Sequence, residues 1–211
     1  MKHSFYRPGA MLLTLAIGSV VIFSCNNEGS SGKTGDSITT VSPVDSVSHS
    51  GHDTMAMADA PLAGHAEAAL SGTYPDTTVT GLAKFDTAGG KVKLELEITV
   101  PKKANKSVAV HLHEHGDCAD TAKMAHGHWN PTNAQHGKWG EGSFHLGDIG
   151  NVKLDAKGKG KVTISTDLWT LGGPASTNII GKAVIVHGGV DDFKTQPTGN
   201  AGTRIGCGVI K

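Results

Sequence analysis

The chain has 211 residues, enough for one domain with attachments, and 37% hydrophobic residues suffice for a single core. Nineteen basic and nineteen acidic residues cancel, so no general affinity for nucleic acid or anionic membrane follows from charge. Twenty-nine glycines and 5% aromatics suit a turn-rich all-β domain better than a helical one.

Lys2 and Arg7 precede the apolar run Ala10 to Phe23, too short to span a bilayer comfortably and of the size of a signal-peptide core. It ends at Ile22-Phe23-Ser24-Cys25, which looks like a bacterial lipoprotein cleavage site. Residues 1–24 are thus expected to be a signal peptide and Cys25 the lipidated first residue, placing the chain in the bacterial cell envelope, facing the periplasm or the cell surface. Phe23 is bulkier than such sites usually carry, so an ordinary secretory signal with a spare cysteine stays open. Residues 25–65 are rich in Ser, Thr, Gly and Asp without an apolar period, and read as a tether. His49, His52, Met55, Met57 and His65 in it are copper-compatible, as a metal-collecting arm or as a solvated linker.

From residue 66 the pattern changes to strands. Ala66 to Tyr74 and Thr78 to Phe85 come first, followed by a turn over Asp86 to Gly90. Val92, Leu94, Leu96 and Ile98 then alternate with polar residues, giving one dry and one wet face. Val108, Val110 and Leu112 alternate with Ala109, His111 and His113, the period of a half-buried strand that sends two imidazoles from one face. Residues 151–154, 160–166, 183–187 and 205–210 supply further short strands. About eight strands with turns between them fit an all-β antiparallel sandwich or flattened barrel. No internal repeat or phosphate-binding glycine loop is present.

Residues 108–148 hold seven of the twelve histidines. After His113 come His128, His136 and His145, with fourteen, seven and eight intervening residues, and then Asp148 after two more. Such mixed spacings suit a folded metal cage, in which side chains converge from several directions. Setting Cys25 aside leaves Cys118 and Cys207 as an even pair in an exported chain, which reads as one disulfide, with two buried thiols as the alternative.

This order of ligands resembles the copper/zinc superoxide dismutases. So do GHWNP around His128, HLGDIGN around Asp148, AVIVHGGVDD around His187 and GNAGTRIGCGVI near the end. The resemblance spans residues 66–211 and implies an eight-stranded antiparallel Greek-key barrel with long metal-binding loops. It further implies copper on His111, His113, His128 and His187, and zinc on His128, His136, His145 and Asp148, with His128 shared as an imidazolate bridge. Asp191 matches the carboxylate that accepts hydrogen bonds from one histidine of each metal, Arg204 the anion-guiding arginine near copper, and Cys118 with Cys207 the family disulfide. His128 and Arg204 would then serve catalysis. The reaction implied is dismutation of superoxide to oxygen and hydrogen peroxide, His128 passing on a proton when copper is reduced. A homodimer is compatible with the resemblance.

Two departures stand out. The family usually places a proline soon after His136-Gly137; here Lys138, Trp139 and Gly140 follow, which leaves the path of that loop open. Between Asp192 and Arg204 only Lys194 is charged, so anion steering is expected to be weaker. His115 and His126 fit no ligand position and are expected to be solvated. The alternative function is a copper-binding or copper-delivery lipoprotein without turnover; an intact zinc set, Asp191 and Arg204 speak against it.

Overall fold

The computed structural model describes residues 62–211; the expectations for the signal peptide, Cys25, His49, His52, Met55 and Met57 lie outside the described residues. Eight strands follow one another: β1 His65–Gly72, β2 Thr80–Ala88, β3 Lys91–Thr99, β4 Ser107–His113, β5 Gly150–Lys153, β6 Lys159–Thr166, β7 Ala183–His187 and β8 Arg204–Val209. They pair antiparallel in the order β5-β4-β7-β8-β1-β2-β3-β6 and form a nearly closed barrel. β3 and β4 are successive in sequence yet lie far apart in the sheet, which is the Greek-key crossing.

Alternation sets the barrel wall. Val92, Leu94, Leu96 and Ile98 of β3 are buried while the lysines and glutamates between them face water. They meet Phe85, Val108, Val110, Leu112, Val184, Val186 and Trp169 in one core. β2 runs further than expected, to Ala88, because Gly89 and Gly90 (φ 59° and 74°) close a two-residue turn by themselves. In β8 the alternate glycines Gly206 and Gly208 admit close neighbours: a Cβ on Gly208 would lie 2.4 Å from the Ala69 carbonyl oxygen.

The expectation of a half-buried β4 needs correction. From Val108 to His113 every residue is buried, and all of β7 is buried too. The inner face lies in the main core, but the outer face is covered by the long connection between β4 and β5 folding back over it. A small second core of Ala122, Ala125, Ala183, Ile185 and Cys207 forms under that cover. Burial of this face belongs to a loop that local periodicity does not register.

The cover is stapled at both ends. Cys118 and Cys207 form a disulfide, closing a sequence separation of 89 residues. Next to it Asp120, Thr121 and Ala122 take φ of 47°, 54° and 62°, a tight left-handed turn. At the barrel end, the Trp129 amide donates to the Leu112 carbonyl (2.8 Å), the Leu112 amide to the Gly147 carbonyl (2.8 Å), and the Trp169 indole to the Leu146 carbonyl (2.9 Å). Trp139 answers the question left by the missing proline: its ring packs 5.0 Å from Trp169 and 5.2 Å from Phe144, so aromatic contact anchors the loop after His136.

Candidate metal centre

Two sets of donors lie side by side on the outer face of the β4–β7 wall. His111 and His113 leave the same face of β4, and His187 stands at the end of β7. A register shift between Val186 and His187 pairs His187 with Arg204. Such an irregularity re-aims a side chain at the end of a strand. The connecting loop adds His128, which bridges His113 in an isolated antiparallel pair. Ligand atoms of His111, His113, His128 and His187 all lie within 4.8 Å of one another, and so do those of His128, His136, His145 and Asp148. His128 is common to both sets, and all seven residues are buried.

The orientation of each ring follows from what its outer nitrogen does. His111 Nε2 donates to Asp191 Oδ2 (2.8 Å), His113 Nδ1 to the His126 carbonyl (2.8 Å) and His187 Nδ1 to the Gly202 carbonyl (3.1 Å). His136 Nε2 donates to Asp191 Oδ1 (2.9 Å). A neutral imidazole that gives its proton outward presents a bare lone pair inward, which is the state a metal ligand needs; His136, which Asp148 and Asp191 hold protonated in the metal-free protein, gives up its inward proton to reach it. The inward atoms of the first set are left over, since His111 Nδ1 and His128 Nε2 are buried without a hydrogen-bond partner, while the inward His136 Nδ1 and His145 Nδ1 face the Asp148 carboxylate at 3.0 and 3.3 Å. A buried unsatisfied nitrogen costs about 1–3 kcal/mol. Two such nitrogens facing one centre, and two more gathered with a carboxylate round a second, are an arrangement that cations would resolve, so the donor set fits two metal ions.

Asp148 anchors the second set. Its Oδ1 lies 2.9 Å from His128 Nδ1 and its Oδ2 3.0 Å from His136 Nδ1, while the amides of Gly137 and His145 donate to Oδ2 at 3.1 and 2.8 Å. Burial would raise its pKa, but hydrogen bonds with His128, His136 and His145 hold the carboxyl far below the usual range. Asp191 is likewise raised by burial and lowered more by its bonds from His111 and His136. Both therefore stay anionic and bring negative charge to the metal sets.

The structure also brings in residues to which the sequence assigned no role. Asn151 Nδ2 donates to the Asp191 carbonyl and the Asp191 amide donates to Asn151 Oδ1, both at 2.9 Å, which locks the Asp191 turn. Gln196 accepts from the His136 amide (2.8 Å) and donates to the His136 carbonyl (3.0 Å). Gly199, at φ 65°, leaves room for the contact between Asp191 and His136: a Cβ there would lie 1.9 Å from Asp191 Oδ1. Asn151 stands in the HLGDIGN motif, so position hinted at it; nothing local marks Gln196.

Arg204 Nη1 donates to the Ala122 carbonyl and Nη2 to the His126 carbonyl, both at 2.6 Å. The His126 carbonyl thus accepts from His113 and from Arg204. The disulfide-bound turn, the arginine and one wall of the first set form a single hydrogen-bonded unit. His115 and His126 side chains are exposed, as expected.

The metal-free protein should lose stability in acid. Burial is the first cause holding His113 well below its ordinary value, His128 at about 4 and His187 at about 3. Unfolded histidines take up protons near pH ~6.5, which these folded rings refuse, so their contribution is full above that pH and falls away as the pH drops through the interval. His136 acts in the opposite sense. Burial lowers it, but Asp148 and Asp191 outweigh burial and raise it to about 9, so its contribution is full below pH ~6.5 and fades as pH rises toward 9. Three rings against one put the optimum near neutrality. Urea unfolding of the metal-free domain should show a loss on the order of 3 kcal/mol from pH 7 to 5; a flat profile contradicts this.

Comparison with known proteins agrees with this geometry. The family described as copper/zinc superoxide dismutase (SODC) matches residues 79–210. Superoxide dismutase [Cu-Zn] of Paramecium bursaria Chlorella virus 1 is 38% identical over 138 residues, 63% of this chain and 72% of that protein. Superoxide dismutase [Cu-Zn] of Podospora anserina is 37% identical over 143 residues, 64% of this chain and 91% of that one. Superoxide dismutase [Cu-Zn] 1 of Aquifex aeolicus (strain VF5) is 38% identical over 59% of this chain and 74% of its own. Among solved structures, that of the clock protein EA4 superposes with a TM-score of 0.61 at 33% identity, covering 71% of this chain and 95% of that one. With a family match over more than half its length and two complete four-donor sets sharing one ring, the chain belongs to the copper/zinc superoxide dismutase family.

Proposed function

We infer that the protein is a copper/zinc superoxide dismutase. We assign copper to His111, His113, His128 and His187, and zinc to His128, His136, His145 and Asp148. The observation that carries this reading is the single shared ring: His128 has Nδ1 toward Asp148 and Nε2, without a partner, toward the first set. Four nitrogens suit copper(II), and three imidazoles with a carboxylate leave zinc no open position, so a hydrolytic role is disfavoured. When bound, copper supplies one-electron exchange with superoxide, and zinc supplies a fixed charge on the shared ring.

The chain's own residues account for the rest. Two superoxide ions and two protons yield oxygen and hydrogen peroxide. His128 Nε2 is the atom that can hold and release one of those protons, while Asp191 keeps His111 and His136 from turning. Arg204 is fixed by two carbonyls, so its remaining surface offers a cation to an approaching anion without having to be ordered on arrival. A copper-storage role would need neither a shared ring nor a fixed arginine. Stopped-flow decay of superoxide by the metal-loaded protein, with a chelator removing loosely bound copper, tests the reading; decay no faster than the chelated buffer would end it.

Arg204→Ala should lower the second-order rate constant about tenfold and flatten its salt dependence, while Arg204→Lys should recover part of the rate. Equal rates and equal salt dependence in all three proteins would remove Arg204 from anion capture.

We further propose that residues 1–24 direct export and that Cys25 carries a lipid anchoring the domain in the bacterial envelope. The Cys118–Cys207 disulfide supports an oxidising compartment. Metabolic labelling with a fatty-acid analogue should mark the protein and leave Cys25→Ala unlabelled; equal labelling of both would rule Cys25 out.

A further inference from the structure

Beyond the buried centre, a third group of donors stands on the surface. Glu114, His115 and His126 are all exposed, and one ligand atom from each lies within 4.8 Å of the others. Their approach is built into the backbone. The chain leaving β4 and the segment arriving at His128 run antiparallel: His113 pairs with His128, the Glu114 amide donates to the Gly127 carbonyl (3.1 Å) and the His115 amide to the Ala125 carbonyl (3.2 Å). This short ladder sets the His115 and His126 rings 4.5 Å apart at 80°.

Further support comes from the residues that hold the ladder. The His126 carbonyl receives His113 Nδ1 and Arg204 Nη2, and the Glu114 carbonyl receives Lys182 Nζ (3.1 Å). Backbone positions fixed in this way limit the entropy lost when the three side chains close on an ion. Two imidazoles and a carboxylate are a donor set for a borderline divalent cation, zinc or copper(II), with coordination positions left to water. Lys182 and Arg204 nearby oppose a cation, so this site should be weaker than the buried pair, and the Glu114 charge offsets part of that.

We propose that Glu114, His115 and His126 form a third, solvent-facing site for a divalent transition-metal ion, one carbonyl away from His113. An ion held there sits outside the wall of the first buried set. It is bound from solution and exchanges with it, whether or not the buried centre turns over superoxide.

The test uses the full chain with both buried sets already filled. Titration calorimetry with zinc chloride should register about one additional equivalent. That equivalent should vanish in His115→Ala and weaken at least about tenfold in Glu114→Gln. Both substitutions are at exposed positions, and unchanged circular dichroism and melting midpoints verify the fold. The imidazole proton signals of His115 and His126 should shift together as zinc is added, which places the ion between those rings. No additional equivalent would overturn the proposal. An additional equivalent that persists undiminished in both variants would also overturn it. None of these readouts depends on dismutation, so the third site can fail while the enzymatic reading stands, and the reverse.

Discussion

His128→Ala is expected to abolish superoxide removal by the metal-loaded protein, a loss of at least about a hundredfold. Among the described residues no other takes part in both four-donor sets. Its ring lies 3.9 Å from that of His111, 5.0 Å from His113, 5.3 Å from His136 and 5.7 Å from His145, so it is the centre from which the other imidazoles are spaced. Replacing it takes one donor from each set and leaves Asp148 Oδ1 without its nearest ring. On the proposed reading it also removes the nitrogen that would hold a proton between the two half-reactions. The barrel core does not include this side chain, so the variant should fold, with its disulfide intact. Stopped-flow decay of the two proteins side by side, with metal content measured on the same samples, checks this. His145→Ala, which takes a donor from one set only, should retain more activity than His128→Ala; equal rates for wild type and His128→Ala would leave the dismutase assignment without support.

Removing the disulfide should have the largest effect on stability. The crosslink ties residues 89 apart in sequence, and in the chain-entropy model closing such a loop is worth about 4–5 kcal/mol. For a domain of this size that corresponds to a melting midpoint lower by about 10–20 °C in the Cys118→Ala/Cys207→Ala protein. Cys207 is buried beside Ala122, Ala125, Ala183 and Ile185, so the bond also clamps the small outer core. Loosening it frees the turn whose carbonyls receive Arg204 and His113, and the superoxide rate constant should fall in parallel. Scanning calorimetry of the oxidised, reduced and doubly substituted forms measures this. A midpoint within about 2 °C of wild type would mean that packing under the turn holds the loop by itself.

The strands were legible because each carries its own signal. The alternation of Val92, Leu94, Leu96 and Ile98 with charged residues needs no partner to be read, and β3 has the burial that it predicts. β4 shows the same alternation and misleads, since Ala109, His111 and His113 are as buried as Val108, Val110 and Leu112. The polar face of β4 is roofed by a loop whose course depends on Trp139 reaching Trp169 and on a disulfide to β8. These are contacts between residues far apart in the chain. The ligand-type residues could be picked out by spacing and resemblance, and the fold gathers all seven of them into two sets. Gln196 and Gly199 could not be picked out, because a glutamine bonding the His136 backbone and a glycine making room for Asp191 have no local pattern.

By itself the sequence determined the chemistry on offer: which donors exist, that two of them share a face of β4, and that the barrel has enough alternating strands to bury one core. Only the tertiary structure decided which nitrogen of each ring points inward, because that depends on acceptors as distant as Asp191 for His111 and Gly202 for His187. It alone decided that the histidine face is dry, and that His115 and His126 meet at the surface instead of being separately solvated. The physical reason is the same in each case. Composition and periodicity describe a residue's own preferences, whereas a metal cage is made of directions, and directions are set by whatever non-local partner holds the other side of the ring.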